Sequence, residues 1–340
     1  MKEDLMLKIT LQSPGNFIFN DVPEPVIKEG EALIEVKSMG ICAGDISQYM
    51  GKKLDVWPLP TVQCHEFGGI VSQVKDSSGK IKAGDKVAVS PHIYCGDCYY
   101  CKRGLELTCD NDKIYGINID GGFAEKVAAP VDKLVKLDSD FDIRYASIIE
   151  PATVAYNIVK DVRDSIIMII GTGSIGMMAI PIARYFNNKV IAVDIDENHL
   201  KIAKKFGADL TINFKDKDKD KKIEENFGRE RIDYVGMTHV DQQLWDWSIE
   251  VVRRCSTIAF IDILEKPIIE VNFRKLWSKI ITLKALDSLY FKDFKSAADL
   301  IEKGVINPED VVSKLLPMRD IKKAYDYKIE NNSLKVILTN

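Results

Sequence analysis

From Ser165 onward the sequence keeps one rhythm, in which short apolar runs alternate with amphipathic stretches. The runs cover residues 166–170, 189–194, 233–237, 257–261 and 281–286. Such alternation is what a parallel sheet with helices on both faces requires, so an α/β fold is expected here. Residues 1–150 read differently. Short strands are expected at 32–37, 69–74 and 86–90, separated by turn sequences such as Lys82-Ala83-Gly84-Asp85 and Asp120-Gly121-Gly122. The tail from about Ser288 returns to a mixed pattern, with a helix at 294–303 and a strand at 335–338. A chain of 340 residues has room for two domains.

The first apolar run opens a motif. Ser165 to Gly171 reads as a buried strand, Gly171-Thr172-Gly173-Ser174-Ile175-Gly176 follows it, and a helical stretch runs to about Phe186. GxGxxG has meaning in this setting, strand before and helix after. Gly171 permits the tight turn, Gly173 lets the backbone approach a pyrophosphate, and Gly176 lets the helix pack on the strand. The helix start, at Ser174 and Ile175, offers amide groups and partial positive charge to phosphates. The next strand ends at Asp194, an acid placed to accept hydrogen bonds from the ribose hydroxyls of NAD and to repel a 2′-phosphate. Ile195 follows, with no arginine beside it to welcome NADP.

Seven cysteines, an odd number, argue against a secreted disulfide scaffold. Four of them, Cys95, Cys98, Cys101 and Cys109, are spaced C-x2-C-x2-C-x7-C. Four thiolates close a tetrahedron around one zinc ion with no open position, so this site holds a loop and does no catalysis. The other cysteines divide into Cys42, considered below, and Cys64 and Cys255, expected to be small buried apolar residues. His92, His199 and His239 belong to no motif and are expected to be structural or exposed. The run 215–222 alternates Lys and Asp and is expected to be a solvated loop.

The net charge of −4 gives no electrostatic case for nucleic acid. No apolar run approaches the roughly 20 residues that span a bilayer, and the N-terminus lacks the apolar segment of a signal peptide. A cytoplasmic protein is expected.

Several motifs now stand in one order: Gly40-Ile41-Cys42 with Asp45, His65-Glu66, Gly84-Asp85-Lys86-Val87, the four-cysteine lobe, Asp120-Gly121-Gly122-Phe123-Ala124-Glu125, Glu150-Pro151, and GxGxxG. In this order the chain resembles the zinc-dependent medium-chain dehydrogenase/reductase family over nearly its whole length. The resemblance implies a GroES-like, mainly β catalytic domain of residues 1–153 and 288–340, with the zinc lobe at about 91–112. A Rossmann NAD-binding domain of residues 154–287 is then inserted in it. Cys42, His65, Glu66 and Glu150 are each plausible zinc ligands by residue type, but their spacing alone does not join them. The resemblance implies that Cys42 and His65 bind a second, catalytic zinc, that Glu66 is a ligand or exchanges with water, and that Asp45 orients His65. Glu150-Pro151 resembles the sorbitol dehydrogenase branch.

On that reading the chain carries two Zn2+ and NAD and forms a homodimer or homotetramer. Zinc would act as a Lewis acid while hydride passes between NAD and a secondary hydroxyl or ketone of a polyol, sugar acid or polyol phosphate. The alternatives are a threonine-type or other alcohol dehydrogenase and, in another class, a catalytically silent NAD-binding structural or regulatory protein. Three positions depart from the family. Gly44 stands where a proton-relay hydroxyl is usual, which leaves water, Glu66 or Ser47 to carry the proton. Cys64 stands where Gly usually precedes the ligand His. Near the nicotinamide, Gly236 is expected to take part of the role of the usual glycine segment.

Overall fold

The computed structural model describes residues 5–52, 54–55, 57–261, 268–286 and 290–340. The chain divides into two compact units. One comprises Met1–Thr153, Leu289–Glu302 and Asn307–Asn340, and the other Val154–Ser288 with Lys303–Ile306.

The first unit is built around a seven-stranded sheet. Its hub is the strand Glu31–Gly40, where Ala32, Ile34, Val36 and Met39 are fully buried. On one side it pairs antiparallel with Phe67–Lys75. On the other it pairs with Lys126–Pro130 along its first half and with Lys335–Thr339 at its end. That last pairing brings the tail of the chain to the place where the strand turns into α1, Ala43–Tyr49, and the Ile41 amide donates to the Val336 carbonyl at 3.0 Å. Cys42 sits at the turn and starts the helix.

The second unit holds a six-stranded, wholly parallel sheet in the order Leu210–Asn213, Lys189–Asp194, Ile166–Ile170, Ile232–Met237, Val252–Phe260, Thr282–Ala285. Ile167, Met168 and Ile169 are fully buried because helices cover both faces of the sheet centre. The strand order reverses between Ile166–Ile170 and its neighbours, and in such sheets a crevice opens at the carboxyl ends of the strands at that point. At the far edge the sheet behaves differently, since Thr282–Ala285 is exposed along its length.

Three expectations change. Cys255 is exposed and has φ +54, so it is no buried packing residue. The run 215–222 is only half a loop, because a helix begins at Lys219 and runs to Phe227 with Ile223 buried. Gly236 lies inside the strand Ile232–Met237, where a Cβ would meet Ile158 Cγ2 at 2.4 Å. Its missing side chain makes room for Ile158 in the core.

Candidate metal and nucleotide sites

The four cysteines of the lobe converge. Sγ–Sγ distances are 3.4 Å for Cys95–Cys109, 3.9 Å for Cys95–Cys101 and 4.0 Å for Cys98–Cys109. A tetrahedron with Zn–S bonds of about 2.3 Å has edges of about 3.8 Å, whereas disulfide sulfurs lie about 2 Å apart. Backbone amides of Cys95 and Asn111 point at the Cys109 sulfur, and that of Cys101 at the Cys98 sulfur. The amides of Cys101 and Asp110 pull the Cys98 thiol down to about 6. Burial and the neighbouring thiols push Cys101 up to about 12. Four sulfurs at these separations, with amides aimed at two of them, form a donor set for one cation. The lobe has little else to hold it, its regular structure being two three-residue turns of 3-10 helix and a two-stranded ribbon.

A second set of donors gathers at the end of the hub strand. Donor atoms of Cys42, His65 and Glu66 all lie within 4.8 Å of one another. The Cys42 sulfur accepts the Gly44 amide at 3.4 Å, and Asp45 Oδ2 accepts the Cys42 amide at 2.9 Å. Together these form a capping box that fixes the first turn of α1. His65 Nδ1 is buried with no hydrogen-bond partner, so Asp45 acts on the imidazole through charge and not through a hydrogen bond. Burial alone would lower the pKa of His65, but Cys42, Asp45 and Glu150 around it push it well above its ordinary value. An orphaned imidazole nitrogen among thiol and carboxylates is a donor set made for a cation.

The two acids of this site are held differently. Both Glu66 oxygens accept from Lys335 Nζ at 2.7 Å, in a pair whose side chains are 1% and 3% exposed. Glu150 is buried in the first turn of α2, Ile149–Val159, and falls outside the group within 4.8 Å. Burial drives its carboxyl up to about 7, against the lowering pull of His65.

The structure also accounts for two departures from the family pattern. A Cβ on Gly44 would lie 2.0 Å from Cη2 of Trp57, so the indole occupies the space that a hydroxyl side chain at this position needs. Cys64 has φ +83, a conformation that favours glycine, and its Sγ–H donates to the Glu66 carbonyl at 3.1 Å. Ser47 Oγ donates to the Ala43 carbonyl one helical turn back, at 3.1 Å.

In the second unit the turn after Ile166–Ile170 is the candidate nucleotide cradle. A Cβ on Gly176 would lie 1.9 Å from the Gly171 carbonyl oxygen, which is how tightly α3, Ser174–Tyr185, packs on the turn. Gly173, the N-cap of α3, is the reverse: a Cβ there would meet nothing within 4 Å, and no side chain caps the helix. Open space before an uncapped helix start suits a phosphate. Asp194 Oδ2 accepts from Thr172 through both its amide and its hydroxyl at 2.7 Å, and Oδ1 accepts the amides of Ile195 and Asp196. His199 lies 3.7 Å away. Burial would raise the Asp194 pKa, yet these donors outweigh it and hold the carboxyl well below the usual carboxylate range.

Residues 28–139 match the model of the alcohol dehydrogenase GroES-like domain, and residues 174–303 match that of zinc-binding dehydrogenases. An L-threonine 3-dehydrogenase of Bacillus velezensis is 30% identical over 94% of both chains. This chain belongs to the zinc-dependent medium-chain dehydrogenase family. Other relatives of this dehydrogenase include a D-arabitol-phosphate dehydrogenase of Enterococcus avium, 27% identical over 97% of both chains. An alcohol dehydrogenase of Escherichia coli CFT073, solved with NADH, superposes with a TM-score of 0.90 at 25% identity over 99% of both chains.

Sequence reading missed several residues that shape the dehydrogenase site. Lys335 carries a visible signal, a lysine inside the apolar run Leu334 to Leu338. Gln48, Gln63 and Tyr325 carry none. Tyr325 Oη donates to Gln63 Oε1 at 2.7 Å, and Gln63 Nε2 donates to Gln48 Oε1 at 2.5 Å. These residues are up to 277 positions apart by number, and only the fold joins them.

Proposed function

We propose that this dehydrogenase oxidises, with NAD, a secondary hydroxyl of a polyol, sugar acid or polyol phosphate, and reduces the matching ketone in reverse. The observation that carries the substrate class is Glu150, a buried acid outside the Cys42–His65–Glu66 group whose charge acts on His65. The arabitol-phosphate relative supports the same class. In this reading Cys42 and His65 hold the catalytic zinc with an acid, either Glu150 or Glu66 released from Lys335. Bound there, zinc supplies Lewis acidity that lowers the pKa of a substrate hydroxyl. Cys95, Cys98, Cys101 and Cys109 hold the structural zinc. Gly171, Gly173, Ser174, Ile175 and Gly176 receive the pyrophosphate, and Asp194 receives the ribose and selects NAD over NADP. Ser47 Oγ donates to the Ala43 carbonyl, which leaves water or Glu66 as the carrier of the proton.

A second reading has its own support, because three of the relatives are L-threonine 3-dehydrogenases. A spectrophotometric screen at 340 nm separates the two. Pentitols, hexitols, their phosphates, threonine and short alcohols are each offered with NAD and with NADP. Turnover of polyols or polyol phosphates with NAD is expected; turnover of threonine alone, or of ethanol alone, sinks the polyol reading. Family membership speaks against a silent nucleotide-binding protein, and two zinc ions per chain by elemental analysis is the matching expectation. Among the described residues no helix is long and apolar enough to cross a membrane. We place the enzyme in the cytoplasm as a homo-oligomer, on its cysteine usage and the exposed edge of its parallel sheet.

A further inference from the structure

Gly44 is the second residue of α1, and its amide rests on the Cys42 sulfur. An ideal Cβ on Gly44 would lie 2.0, 2.2 and 3.1 Å from Cη2, Cζ3 and Cζ2 of Trp57. Carbon atoms in contact keep about 3.5 Å apart, so any side chain at position 44 collides with the six-membered edge of the indole. The ring therefore lies directly against the bare α-carbon of the residue whose amide rests on the Cys42 sulfur.

The backbone beneath the ring is held in place. Gln48 Nε2 donates to the carbonyls of Trp57 at 3.0 Å and Pro58 at 3.1 Å. Gln48 is itself fixed by Gln63, which also donates to the Asp45 carbonyl at 3.1 Å and stands two residues before His65. Gln48 and Gln63 are both buried, so these bonds are shielded from competing water. The segment that carries Trp57 is thus tied to the same turn and loop that carry Cys42 and His65. Trp57 itself is only half-buried. Some surface of this large aromatic residue therefore stays accessible.

We propose that Trp57, seated on Gly44, is a specificity-determining residue of the alcohol site, where its ring packs on the carbon chain of the substrate beyond the carbon that is oxidised. The inference rests on the reading that Cys42 and His65 mark the place of oxidation. An aromatic face matches the C–H edges of an extended carbon skeleton and adds contact with each further carbon. Short alcohols do not reach it.

The pair is tested with Gly44→Ser, Trp57→Ala and the double variant as zinc-loaded holoenzymes, on two readouts. The first is thermal melting. Gly44→Ser is expected to lower Tm by about 4 °C or more in the presence of Trp57 and to change it little in the Trp57→Ala background. Additive shifts would show that the ring does not sit on Gly44 and would overturn the proposal. The second is KM across secondary alcohols from 2-propanol to 2-hexanol and across the polyols. Trp57→Ala is expected to raise KM about tenfold for the longest chains and within about twofold for 2-propanol, with kcat little changed. An equal effect at every chain length overturns the specificity role. Trp57→Phe keeps a ring and should retain the length preference, which covers the case that Trp57→Ala folds poorly. If polyols are not oxidised while simple secondary alcohols are, the polyol reading fails, and the length series still decides the role of Trp57.

Discussion

Glu66 and Lys335 are each almost fully buried, and each is the other's ion-pair partner. Removing one partner leaves an uncompensated charge in the interior, at a cost of about 3–5 kcal/mol. Lys335→Met should therefore lower the urea midpoint sharply, and the double variant Glu66→Gln/Lys335→Met should recover much of that loss. A single variant as stable as the wild type would contradict the buried pair. Asp194 makes a prediction with a sign in pH. Its carboxyl is held below the usual range in the folded chain, while the unfolded value lies near about 3.9. Its stabilisation is complete above the unfolded value and is lost as pH falls through the folded one. Asp194→Asn should cost about 2 kcal/mol at neutral pH, from hydrogen bonds to a charged acceptor, and the gap to wild type should close in acid denaturation. The same variant should weaken NADH binding about tenfold and narrow the preference over NADPH, by fluorescence titration. At this scale Asp194 was legible in the sequence because strand, glycines and acid stand in fixed order. Trp57 and Gln63 were not, since their partners are set by the packing of distant segments.

The elements differ in what holds them. Ile166–Ile170 and Lys189–Asp194 have the bounds that the sequence reading gives, because strands buried on both faces are continuous apolar runs with polar ends. The helix Lys219–Phe227 escaped that reading. Its Lys and Asp residues hide a sparse apolar face in which Ile223 is the buried residue. The four-cysteine lobe sits at the opposite extreme, with spacing legible from four residues and almost no core. Its order should depend on metal. Cys98→Ser is expected to reduce zinc from about two ions per chain to about one, and to lower Tm while leaving NADH binding in place. Unchanged zinc content would remove the lobe from the list of metal sites. In the hub strand Glu31–Gly40, alternation of buried and half-buried residues showed a strand, but nothing in the sequence shows that Lys335–Thr339 lies beside its end.

At the scale of the molecule, one face of the nucleotide-binding unit is unfinished. Thr282–Ala285 is an exposed edge strand, and Phe273, Trp277 and Ile280 nearby are 76%, 82% and 67% exposed. An edge of this kind invites pairing with another strand, and an identical edge from a second copy completes it with symmetry. Trp277→Glu should convert an oligomer into a smaller species by light scattering, with zinc content unchanged; a wild-type monomer would refute the edge contact.

The pairing of Lys335 with Glu66, 269 residues away, also fixes an order of events. The unit that contains the donor group is discontinuous, with parts at Met1–Thr153, Leu289–Glu302 and Asn307–Asn340, and the whole of the second unit is made before the last of them. During synthesis the buried carboxylate must wait for its counter-charge while the intervening unit is free to fold on its own. The turn Gly171 to Gly176 is thus made before Lys335, the last of these residues to appear. A chain that stops before the last part leaves Glu66 without its partner Lys335.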